Sequence, residues 1–142
     1  MKFNKLKNII AEGIYLFLIF FFCYTAANKL VQLDSFKTNL IKTTMFNKET
    51  ADVFSIAVIG LEIAIILFML FNKKKGLLAF CSTMLIFTLY ISFLRYKGLY
   101  EVCGCGGILN GLAYQYHFMI NIGLIIGSIY SFFIFSYATN KK

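Results

Sequence analysis

Uncharged apolar residues gather into four runs along the chain, at about 9–28, 53–71, 77–96 and 117–138. Each is close to the roughly 20 residues a helix needs to cross about 30 Å of hydrocarbon. The first run holds Glu12 near its start, the second holds Glu62, and the other two carry no acid and no lysine. The alternation that an outer-membrane barrel strand requires is missing, and an open sheet in lipid would leave its edge groups unpaired. The pattern therefore predicts an all-α membrane protein, a four-transmembrane-helix bundle forming a single domain over 1–142. Between the first two runs, at about 29–52, Leu30, Leu33, Leu40, Ile41 and Met45 recur at mostly three-to-four spacing among polar residues. That is the pattern of an amphipathic helix lying in the membrane interface and capping the bundle.

Composition agrees with this reading. Hydrophobic residues make up 60% of the chain and charged residues 14%, against about 25% charged in soluble globular chains. So few ionisable side chains would not coat a soluble fold of this size, which excludes a soluble enzyme. With no proline and 17 phenylalanines the chain is not a disordered tail, and four cysteines in 142 residues are too few for a disulfide-built secreted domain.

The net charge of +8 carries orientation. Lys2, Lys5, Lys7, Lys73, Lys74, Lys75, Lys141 and Lys142 flank the spans on one side. Lys29, Lys37, Lys42, Lys48, Arg95 and Lys97 lie on the other, in longer loops and partly offset by Asp34, Glu49, Asp52 and Glu101. Positive residues collect on the cytoplasmic face, so both termini are expected in the cytoplasm and the chain in a bacterial inner membrane. Nucleic acid is not an expected partner, because no basic stripe with interleaved aromatics appears. The charged start, the apolar run and Thr25-Ala26-Ala27 share features with a cleaved signal peptide, but the run is long enough to span by itself and is expected to stay as the first helix. Tyr24, Tyr96, Tyr100, Tyr114 and Tyr116 fall at the outer boundary, where phenol rings anchor a chain that lacks tryptophan.

This orientation puts Cys103-Gly104-Cys105-Gly106-Gly107 on the outer, oxidising side. Cysteines two apart reach the Cα separation of a disulfide, about 5.5 Å, only through an unusual bend, which Gly104 permits. A strained, exposed disulfide of that kind is more often labile or catalytic than structural. Spacing alone leaves open a redox pair, a static clip held by the glycines, or two free thiols. Two thiolates and His117 fall short of the about four ligands zinc takes, so no metal is expected. At about 1.5 Å of rise per residue, Cys23 lies roughly 7 Å below the outer surface and Cys81 more than about 20 Å from the outer loop. Cys81 is thereby a packing thiol, and Cys23 a conditional third member of the pair.

Glu62 sits near the bilayer midplane, where a charge is costly and usually functional. It is expected to face the bundle, as a proton donor or as a hydrogen-bonding strut. His117, at the mouth of the fourth span, and Asn121, one turn into it, lie at the depth of Cys23 and the outer loop and are candidate redox- or quinone-side residues with Cys23 and Glu62; the plainer expectation for His117 is a solvated boundary side chain. Gly123, Gly127 and Ser131 recur every fourth residue, the small-residue face that lets two helices approach closely.

Asn28-Lys29-Leu30 closing the first span, the outer loop with Phe36 and Leu40, Glu62 in an apolar second span, and Cys103-Gly104-Cys105 before the fourth together resemble the MauE/DoxX-like family. In MauE-like members an aromatic commonly follows the CGC stretch; Gly106 stands in its place here. The resemblance covers nearly the whole chain and implies four transmembrane helices with a redox-associated role. MauE-type members are linked to maturation of methylamine dehydrogenase, an enzyme rich in disulfides, and DoxX-type relatives to thiosulfate:quinone oxidation.

The expected function is thiol–disulfide exchange at the outer face. Cys103 and Cys105 would pass electrons to or from partner protein thiols or a membrane quinone, in the maturation of an exported protein. A quinone would fit between spans near Cys23 and Asn121, with Glu62 as proton source. The expected partners are the lipid bilayer, an exported thioredoxin-like or disulfide-containing protein, and a membrane complex partner. The rival reading is a non-catalytic assembly or scaffold subunit, with the CGC stretch as a structural clip and the Gly123/Gly127 face docking a partner helix.

Overall fold

A computed structural model describes residues 2–100 and 113–139 of the chain, with side chains for 5–100 and 113–138. The described residues form five helices: α1 (Lys2–Val31), α2 (Leu33–Lys42), α3 (Lys48–Phe71), α4 (Lys73–Tyr96) and α5 (Tyr114–Thr139). All but α2 are long and apolar enough to cross a membrane. They contain the four apolar runs and extend past them, because no proline or helix-breaking cluster interrupts the polar flanks. In each apolar window only 28–39% of residues are buried inside the protein. Phe17, Phe20, Leu70, Phe71, Ile126 and Phe133 point outward, each more than half exposed. An apolar exterior of this extent needs lipid around it, and the chain is a multi-pass membrane protein.

The four long helices pack in a ring in the order α1, α3, α4, α5, with α5 closing back on α1. Within it, Tyr15, Leu18, Phe22, Met69, Phe80 and Met84 belong to the main buried cluster. At one end α3 and α4 are separated by Asn72 alone. Its backbone N–H donates to the Phe68 carbonyl, closing α3, while its side-chain Oδ1 accepts from the Lys75 N–H at 3.1 Å, opening α4. So tight a reversal leaves no room for a side chain at Gly76, where a Cβ would lie 2.4 Å from the Met69 Cα. The Tyr15 hydroxyl donates to the Met69 carbonyl at the same end. Lys73 bonds both carboxylate oxygens of Glu12, at 2.6 and 2.8 Å.

At the opposite end α2 lies across α3 and touches α1. Its Phe36 and Leu40 are buried in a second cluster with Ala51 and Val58, and Lys37 pairs with Asp52 at 3.0 Å. The amphipathic helix expected between the first two spans is therefore present, shorter than the whole interval. Asn47 starts α3 by accepting from the Thr50 N–H at 2.8 Å.

Candidate functional site

Lys29 lies two residues before the end of α1. Side chains of a helix lean toward its N-terminus, so the Lys29 stem runs back into the bundle. Its Nζ donates to Glu62 Oε1 at 2.5 Å, with the two side chains 4% and 1% exposed. The ammonium also lies 5.6 Å from the Phe87 ring centroid and 5.9 Å from that of Phe36, within cation–π range. An isolated charge this deep is expensive, and the partner charge with two ring faces offsets part of that cost. The midspan glutamate thus has a cation, supplied by a residue whose place in the sequence suggested an outer loop.

The pair borders a cavity of about 130 Å³. Phe22, Phe36, Met84 and Phe87 form apolar walls, and Thr25, Tyr90, His117 and Asn121 add polar groups. Glu62 Oε2 is buried in this lining and has no hydrogen-bond partner. A buried acceptor without a donor is rare in native folds and marks strain, an unseen partner or a functional role.

His117 is 3% exposed and Asn121 2%. The solvated histidine expected at the mouth of the span is instead buried: α5 begins at Tyr114, so His117 falls within its first turn and turns inward. Its Nδ1 and the Tyr100 hydroxyl are 3.0 Å apart. Tyr100 meets Tyr114 edge to face at 5.4 Å, and the Tyr114 hydroxyl bonds Ser92 at 3.0 Å. Burial holds the Tyr100 phenol above its ordinary value, and Tyr114 adds to the effect.

Glu62, His117, Asn121 and Lys29, singled out separately in the sequence, therefore line one cavity. Cys23 does not. It faces away from the bundle on α1 and is exposed, so the expected pocket near Cys23 and Asn121 forms on the Asn121 side only. Cys81 is half-buried against the main core cluster, as expected of a packing thiol. Cys103, Gly104, Cys105, Gly106 and Gly107 lie outside the described residues. On α5, a Cβ at Gly127 would stand 3.2 Å from Ile14, and the Ser131 hydroxyl donates to the Ala11 carbonyl at 3.3 Å. The small-residue face is thus occupied by α1 at Gly127 and Ser131, while the position of a Cβ at Gly123 is open.

Sequence reasoning missed the Lys29–Glu62 pairing and the contribution of Tyr100. The available signal for the first was the cost of Glu62 itself, which calls for a cation from a neighbouring helix.

No curated protein and no solved structure matches the chain. A family model described as methylamine utilisation protein MauE matches residues 7–134. The match takes in α2, α3 and α4 entire, most of α1 and α5, and every residue named above as lining the cavity. The chain belongs to the MauE family.

Proposed function

We propose that the protein is a membrane thiol–disulfide redox protein that works through Cys103 and Cys105 in the maturation of an exported protein. The observation that carries this reading is the apolar-walled cavity, edged by polar side chains, toward the end of the bundle where α4 and α5 are joined through the CGC stretch. Tyr100, hydrogen-bonded to His117 at the cavity, precedes Cys103 by three residues, and three residues of chain reach at most about 11 Å. In the exchange, one thiolate attacks a partner disulfide, a mixed disulfide forms, and the second thiol resolves it, leaving the chain oxidised and the partner reduced; the reverse sequence oxidises a partner dithiol.

A membrane quinone would supply an acceptor for two electrons and two protons. The apolar walls and the Lys29 donor suit the carbonyls of a quinone head, and Glu62 Oε2, an open acceptor, suits the hydroxyl of its reduced form. In this reading His117 and Tyr100 hold a proton between Nδ1 and the phenol oxygen, and Asn121 orients a head group. The membrane is the bacterial inner membrane, with both termini cytoplasmic, supported by the eight lysines on that side. The chain is one domain, and its partner is an exported thioredoxin-like or disulfide-containing protein.

The test is trapping of free thiols with a mass-tagging reagent before and after mild reduction, in cells and in purified protein. Cys103 and Cys105 are expected to cycle between a protected and a taggable state, and their serine variants to lose function. A pair locked in one state, with fully functional Cys103→Ser and Cys105→Ser variants, would leave the scaffold reading instead. The contacts of Gly127 and Ser131 with α1 count against the part of that reading in which the α5 face docks an outside helix.

A further inference from the structure

The geometry points to a binding site for a single-ring hydroxyaromatic head group of the hydroquinone class, its hydroxyl donating to Glu62 Oε2 and its ring lying among Phe22, Phe36 and Phe87. The assignment deepens the redox reading at the same cavity and rests on it for biological meaning, though the binding itself does not require the cysteines.

Three observations set the ligand's chemistry. First, the size favours a single ring: the cavity is about 130 Å³, on the scale of the apolar cavity of about 150 Å³ that holds benzene. Second, the polar demand includes a donor for Glu62 Oε2; the Tyr90 hydroxyl, also in the lining, likewise has no hydrogen-bond partner and can donate or accept. Lys29 already satisfies Glu62 Oε1, and Oε2 is buried beside it with nothing to accept from. A ligand without an O–H or N–H would leave that oxygen orphaned, and a buried unsatisfied acceptor of this kind costs more than the hydrogen bond gains. Third, the site already holds a cation. The Lys29 ammonium lies 5.9 Å from the Phe36 and 5.6 Å from the Phe87 ring centroid, so a cationic ligand is repelled, and an anion would compete with the carboxylate for the same ammonium. A neutral hydroxyaromatic meets all three conditions: its ring suits the aromatic walls, its hydroxyl supplies the donor, and His117 and Asn121 also line the cavity for a second oxygen. Phe36 and Leu40 of α2 line the same cavity.

The experiment titrates methylhydroquinone against the full chain in lipid nanodiscs under argon, by calorimetry, with empty nanodiscs subtracted for partitioning. Saturable binding at one site per chain is expected. The dimethyl ether of the same molecule, which has no O–H, should bind at least about tenfold more weakly, the scale of a hydrogen bond to a charged group. The two-ring 2-methyl-1,4-dihydroxynaphthalene should also bind more weakly than the single ring. Val58→Phe, which fills the cavity from α3 and keeps the ion pair, should abolish binding. Glu62→Gln should narrow the gap between the hydroquinone and its ether; if that variant fails to fold, the ether comparison and Val58→Phe carry the test. Equal binding of the ether, equal binding of the two-ring compound, or undiminished binding to Val58→Phe would each overturn the assignment. The Cys103→Ser/Cys105→Ser double variant should bind methylhydroquinone normally; a parent chain that binds the hydroquinone while its thiols stay locked in the tagging assay would defeat the redox reading and leave this site standing.

Discussion

Lys29→Met is the most informative single change. It removes the ammonium that donates to Glu62 at 2.5 Å and leaves a carboxylate 1% exposed inside the bundle, with both oxygens unpartnered. Removing one member of a buried ion pair costs about 3–5 kcal/mol, and a lone charge at the centre of a membrane helix about 2.5–3.5 kcal/mol. The expected loss is therefore about 3 kcal/mol or more. Glu62→Leu should cost less, because Lys29 is near the end of α1 and its long stem can carry the ammonium toward the interface, an escape that the short, midspan Glu62 lacks. The double variant Lys29→Met/Glu62→Leu should recover most of the loss, since a buried pair replaced by packed apolar groups is often neutral or stabilising. Unfolding of the four proteins in mixed micelles, arranged as a double-mutant cycle, gives the coupling directly. A Lys29→Met protein within about 1 kcal/mol of the parent, or a double variant no better than the worse single one, would refute the reasoning.

Gly76→Ala should destabilise by about 1–3 kcal/mol, because its Cβ meets the Met69 backbone at 2.4 Å, whereas Gly60→Ala, with nothing within 4 Å of the new Cβ, should be neutral or gain slightly from helix propensity; micellar unfolding of both distinguishes them. A membrane-permeant maleimide should modify the exposed Cys23 well before the half-buried Cys81, and equal rates by mass spectrometry would contradict the orientation of α1. Burial raises the Tyr100 phenol in the folded state, so the stability it contributes is complete below its unfolded value of about 10 and drains as pH rises toward the folded value. Tyr100→Phe should flatten that part of the alkaline loss when stability is measured from about pH 9 upward.

The four membrane helices were legible because the lipid constraint writes itself into sequence: about 20 apolar residues have few other uses. The inward-facing set was legible only in part. Glu62 announced itself by its cost, and Asn121 by polarity within an apolar run. Lys29 did not, because a lysine at the end of a span reads as a topology signal; only the backward lean of its side chain and the rotation of α1 convert it into the partner of Glu62. His117 misled for a related reason, since a boundary residue is wet or dry according to which way one helical turn faces. Cys23 fell on the outward face of α1 by the same rotation, and rotation about a helix axis is poorly specified when apolar residues cover every side, as they do on α1 and α5.

Asn72 ends one 24-residue helix and starts another of the same length without a residue to spare. The consequence concerns how the chain enters the membrane. Contacts across this reversal join residues few positions apart, such as Met69 and Gly76, so their loop-closure cost is small and they can form while the rest of the chain is still being made. A link this short cannot let one helix insert while the other waits outside the bilayer. α3 and α4 must go in together, as a preformed hairpin with Lys73, Lys74 and Lys75 at its tip. Glu62 would then enter the membrane on that hairpin and meet Lys29 on α1, so the cavity is completed by the docking of one inserted unit against another.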